Sequence, residues 1–228
     1  RLGLMTRPAR KPGRGPLVVA LTLALAAATS SAEVLHVRVV DSNQDPVPQV
    51  AIYVEQSGTS RAARAPAPAV MDQRYKRFVP HILVVQKGAQ VSFPNSDVVA
   101  HHVYSFSRPN NFVLPLYKGT PPDPVRFDHD GVVTLGCNIH DSMLGYIVVV
   151  DSDIFAISNE DGVARLDVDS DAAQWTVHAW SPRFRNTREP LVRTIMAGEA
   201  LTVTFALEKK LRPSHDDHTE SVLWNDYD

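Results

Sequence analysis

The chain has 228 residues, 44% of them apolar, with 25 acidic against 23 basic side chains and a formal net charge of −2 at pH 7. That length suits one large or two small domains, and with no basic stripe interleaved with aromatics it carries no nucleic-acid-binding signature. Seventeen prolines against eleven glycines favour strands and fixed turns over helices.

The first 32 residues follow their own logic. A basic stretch precedes the apolar run PLVVALTLALAAA (16–28), and small residues follow at Ser30 and Ala32. This is the order of a cleavable export signal. The run falls short of the roughly 20 apolar residues that a span needs. The expectation is a periplasmic protein, cleaved after about Ala32, with no membrane span in its mature form.

Past the signal, apolar and polar residues alternate with period two. VLHVRVVD (34–41) leads through the turn SNQDPVPQ to VAIYVE (50–55). An Ala/Pro/Arg-biased stretch, 57–70, reads as a linker. HILVVQ (81–86), AQVSF (89–93), HHVYSFS (101–107), GVVTLG (131–136) and GYIVVV (145–150) follow, then ARLDV (164–168), WTVHAW (175–180) and LTVTFALE (201–208). Turn residues interrupt every 8 to 12 residues or so, the spacing of antiparallel sandwiches, and no amphipathic helix emerges. The polar end, 211–228, reads as a flexible tail. Its SHDDH run, with His215 and His218, has chelating groups of a kind common in polar tails.

The single cysteine lies in GCNIHDSMLGY (136–146). Cys137, His140 and Met143 fall three apart, as on one helix face. However, Gly136, Asn138, Asp141, Ser142 and Gly145 crowd the segment, and strands flank it, so it reads as a tight loop between neighbouring strands. A buried, inert cysteine is the plain alternative. In an oxidising compartment an unpartnered thiol needs something to hold it. A thiolate, an imidazole and a thioether are soft donors, and a second imidazole would complete the His₂Cys set with weak axial Met of electron-transfer copper sites. His101 and His102 are the upstream candidates. Alternation puts His101, Val103 and Ser105 on one face and His102, Tyr104 and Phe106 on the other, and apolarity alone turns the second face inward.

Residues 78–150 resemble a cupredoxin, the small blue copper fold. The segment NSDVVAHHV (95–103), its preceding hairpin FVPHILVVQKGAQVSFPN (78–95) and the C-x₂-H-x₂-M spacing carry the likeness. The wording FDHDGVVTLGCNIHD resembles plastocyanin-like proteins of the methylamine utilisation type. The resemblance implies one mononuclear type 1 copper held by His101, Cys137, His140 and Met143, with His102 as the alternative upstream ligand. It also implies electron exit at His140 through a small apolar patch with Ile139 and Leu144. The family usually has an asparagine at the position of His102, tying the two ligand loops together; Asn95 is the candidate substitute.

A second, looser resemblance links VLHVRVVDSNQDPVPQVAIYVE (34–55), FAISNEDGVARLDV (155–168) and WTVHAWSPRF (175–184) to carboxypeptidase regulatory-like, transthyretin-type sandwiches. The expected organisation is therefore all-β. A regulatory-like sandwich (33–56 and 151–210) is split by the linker 57–70 and a Greek-key cupredoxin domain (71–150). Trp175, Trp180 and Phe184 are core residues on the plain reading. The leading functional expectation is a one-electron carrier between periplasmic redox partners of cytochrome or dehydrogenase class, and not an enzyme. A copper-delivery protein and a non-redox, partner-binding sandwich are the alternatives.

Overall fold

A computed structural model describes residues 32–58, 64–119 and 123–213. The expected signal (apart from Ala32), part of the linker and the SHDDH run lie outside them. Every regular element among the described residues is a strand, and no helix there is long and apolar enough to cross a membrane. In chain order they are β1 (Ala32–Val40), β2 (Ala51–Ser57), β3 (Ala69–Val70), β4 (Asp72–Arg74), β5 (Arg77–Val79), β6 (Ile82–Gln86), β7 (Ala89–Ser92), β8 (His101–Ser105) and β9 (Phe112–Tyr117). Then come β10 (Val125–Phe127), β11 (Gly131–Gly136), β12 (Leu144–Val150), β13 (Phe155–Ile157), β14 (Val163–Asp169), β15 (Gln174–Trp180), β16 (Leu191–Met196) and β17 (Thr202–Ala206).

Two sandwiches result. In the first, β1 lies between antiparallel β14 and parallel β17, facing the antiparallel sheet β13-β2-β15-β16. Leu35, Val37 and Val39 alternate inward from β1 onto Ile52, Val54, Trp175 and Val177, so its core draws on both ends of the described chain. In the second, the five-stranded sheet β6-β12-β11-β8-β9 faces the three-stranded sheet β10-β7-β3 around Val91, Phe93, Phe127, Leu135 and Ile147. The pairing of β6 with β12 is parallel.

A third apolar layer joins the two. Ile82, Val84, Val148 and Val150, on the outer face of the five-stranded sheet, bury against Ala51 and Trp180 of the first sandwich. Strand β12 is thus covered on both faces, which is why IVVV is an unbroken apolar run rather than an alternating one. Trp175, Trp180 and Phe184 are all buried.

Two boundaries differ from expectation. Ala69–Val70, within the linker as read from sequence, pair in parallel with β7. The tail begins later than residue 211: the Arg212 N–H donates to the Arg183 carbonyl at 2.8 Å, and Leu211 packs against the first core. The β4–β5 hairpin carries no Gly, Asn or Asp in its turn. Tyr75 and Lys76 close it at φ +52° and +56°, left-handed conformations that side chains adopt at a cost.

Candidate metal centre

Strand β8 turns His101, Val103 and Ser105 inward, all essentially inaccessible, and leaves His102 and Tyr104 half-buried on the other face. Apolarity alone points the wrong way here, because Tyr104 and Phe106 pack on each other outside, ring centroids 5.1 Å apart. His101 lies at a register irregularity between β8 and β9. Pro115 of β9 falls within it, and proline has no N–H to give the ladder. His102 stands apart from the donor cluster, and its buried Nδ1 has no hydrogen-bond partner.

The loop after β11 brings the other donors to His101. Cys137 is buried, and its Sγ lies 3.9 Å from His101 Nδ1 and 3.8 Å from His140 Nδ1. The two Nδ1 atoms are 3.1 Å apart. Met143 is buried in the same apolar cluster as Cys137, and its N–H donates to the His140 carbonyl at 2.9 Å, tightening the loop. Closure also depends on Gly145, where a Cβ would stand 2.7 Å from the Cβ of Phe78.

Asp97 fixes the state of the upstream histidine. Its Oδ2 lies 2.9 Å from His101 Nε2 and accepts the Lys76 backbone N–H at 2.7 Å. An ionised carboxylate only accepts, so the imidazole proton is assigned to Nε2 and the Nδ1 lone pair faces the other donors. Burial alone would raise the Asp97 pKa, but bonds from Lys76, His101 and Val98 outweigh it and hold the carboxyl below its usual range. Burial, then the neighbouring His101 and Lys76, hold His140 below the usual histidine range. His140 therefore favours the neutral, ligating form.

This donor set fits a single soft ion. The three donor atoms lie within 4.8 Å of one another, the one such group found among the described residues. Metal–imidazole bonds of about 2.0–2.1 Å and metal–thiolate bonds of about 2.3 Å would let a single ion reach all three donors across these spacings. Two imidazoles and a thiolate, with the Met143 side chain buried in the same cluster as Cys137, would suit copper.

Asn95, expected to tie the two ligand loops, does something narrower. Its Nδ2 donates to Val99 O and Tyr117 O, both at 2.9 Å, and its Oδ1 accepts the Asp97 N–H. It braces the upstream loop and makes no bond to the loop of Cys137. Asp97 and the Tyr75–Lys76 turn escaped the sequence reading, although a carboxylate four residues before a candidate ligand histidine is a readable sign of an orienting partner. Ile139 is 50% exposed, while His140 and Leu144 are half-buried. Elsewhere His36 and His129 are exposed, and His81 and His178 half-buried.

No family model matches this chain, and no curated protein is similar to it in sequence. Among solved structures, a purple cupredoxin from Nitrosopumilus maritimus is 21% identical over 36% of this chain and 98% of its own, with a TM-score of 0.31. An amicyanin variant in its reduced Cu(I) form at pH 4 is 20% identical over 43% of this chain and 97% of its own, at 0.33. A Cu-containing nitrite reductase from Thermus scotoductus SA-01 is 25% identical over 42% of this chain but only 25% of its own length, at 0.35. Apart from those partial matches, the strand order and the donors on β8 and the β11–β12 loop define a class: an all-β, cupredoxin-type sandwich, with a second small sandwich packed on it.

Proposed function

We propose that this chain is an exported type 1 copper protein, with one mononuclear copper on His101, Cys137, His140 and Met143. It carries single electrons between periplasmic redox proteins of cytochrome or dehydrogenase class, and it is not an enzyme. The observation that supports this reading best is the triangle of two Nδ1 atoms and one Sγ, buried at His101 and Cys137, with the His101 tautomer set by Asp97. Bound copper supplies a one-electron couple. The chain's part is to hold its donors in one arrangement for both oxidation states, so that little rearrangement accompanies each transfer.

The donors sit on paired strands and a loop tied by its own backbone bond, and burial of His101, Cys137 and Met143 keeps water out. His140 is the donor nearest solvent. Beside it Ile139 is 50% exposed and Leu144, at the end of the loop, half-buried. A small apolar face of this kind suits brief docking, which a carrier needs in order to release each partner. The split sandwich, regulatory-like in our reading, braces the five-stranded sheet through the Trp180 layer.

Cyclic voltammetry of the copper-loaded protein tests the reading. A reversible one-electron wave is expected. A metal that exchanges freely into chelators, or a site that holds only Cu(I), would replace it with copper delivery.

A further inference from the structure

Two basic segments of the first sandwich run side by side. Arg183, Arg185 and Arg193 lie on one, Lys209, Lys210 and Arg212 on the other. The guanidinium groups of Arg183, Arg185 and Arg212 lace the segments together through backbone carbonyls: Arg183 Nε to Arg212 O at 3.3 Å, Arg185 Nε to Lys210 O at 2.9 Å and Arg212 Nη2 to Arg185 O at 3.2 Å. Carbonyls align these cations without neutralising them. Among the described residues, none of the six appears in an ion pair. Cations outnumber the two acidic residues on these segments, Glu189 and Glu208, so on a chain of net charge −2 they form a local positive ridge able to steer a negative partner.

The ridge leads to the metal loop. A cleft of about 610 Å³ between the sandwiches has Arg183 and Arg212 on one side and Leu144 and Tyr146 on the other. Leu144 directly follows Met143. Among the described residues, Glu160 is the only acidic residue lining the cleft. The Tyr146 ring makes T-shaped contacts with His81 and Trp180, ring centroids 5.4 and 5.5 Å apart.

We infer that this ridge and cleft dock an acidic, extended segment of the protein that exchanges electrons with the copper centre. The cations hold the segment, and the partner's own surface then meets the apolar face around His140. The inference rests on the electron-carrier reading and names the chemistry of its partner.

Fluorescein-labelled hexaglutamate, followed by anisotropy against the full chain with and without copper, tests it. Binding is expected at low salt, fading as ionic strength rises. Arg183→Glu/Arg212→Glu should weaken it roughly tenfold. Lys209→Glu/Lys210→Glu, whose side chains take no part in the lacing, should also weaken it, so misfolding cannot explain both results. Arg126→Glu, whose native guanidinium pairs with Asp128 on the other sandwich, should leave it unchanged. Equal binding by both reversed variants, or tighter binding of an oligothymidylate, would overturn the inference. So would hexaglutamate binding that appears only after residues 214–228 are removed, which would make the chain's own acidic end the occupant. Intact peptide binding by a protein without a copper spectrum would sink the carrier reading and leave the ridge standing.

Discussion

Replacing Asp97 by Ala removes one carboxylate from three N–H donors: His101 Nε2 at 2.9 Å, Lys76 N at 2.7 Å and Val98 N at 2.7 Å. The two backbone donors lie in exposed settings where water can replace the acceptor. His101 has no such recourse, because its side chain is 0% exposed and Asp97's only 7%. A buried N–H left without a partner costs about 1–3 kcal/mol, so the metal-free variant should lose roughly that much in urea unfolding. The ring also loses what holds Nδ1 toward Cys137 and His140. Loss of such an outer partner typically lowers metal affinity by about 10–100-fold, measurable by chelator competition for copper. Asp97→Asn keeps an acceptor of the same shape but sets an NH₂ against one of the donors, so it should fall between. Copper affinity within about twofold of wild type, alongside a stability loss of the expected 1–3 kcal/mol, would refute Asp97 as the orienting group and leave it a purely structural residue.

Three further outcomes follow from the same geometry. His101→Ala should abolish the copper spectrum and His102→Ala should leave it intact, since His102 stands outside the donor cluster; the reverse pattern would reverse the register. Met143→Leu should keep the colour but raise the reduction potential in voltammetry, because it removes a weak donor to the oxidised ion. Gly145→Ala should destabilise by about 1–3 kcal/mol in thermal or urea unfolding, as overpacking does, because the added methyl meets the buried Phe78 at 2.7 Å. An unchanged midpoint would show that Phe78 yields freely.

Period two made strands such as β1 legible because one face lies on a core, as Leu35, Val37 and Val39 do. Strand β9 was harder to see, since Pro115 interrupts it and the register slips there. Strand β16 is exposed at every residue except Ile195, so it lacks the alternation that marks a half-buried strand. The β4–β5 hairpin hid because Tyr75 and Lys76 turn without the usual turn residues; the Lys76 N–H bond to Asp97 helps to hold that conformation. At the centre, Cys137, His140 and Met143 were readable together because one short loop carries them. Choosing between His101 and His102 was a different matter. Neighbouring residues on a strand point to opposite faces, and which of the two rings meets the Asp97 carboxylate is settled only when the chain is folded.

The most direct measurement is the visible and paramagnetic spectrum of the copper-loaded wild type beside Cys137→Ser, with copper counted per chain. One copper per chain is expected, with an intense sulfur-to-copper charge-transfer band that vanishes in the serine variant. A colourless loaded protein, or a band that survives loss of the thiol, would contradict a copper centre built on Cys137.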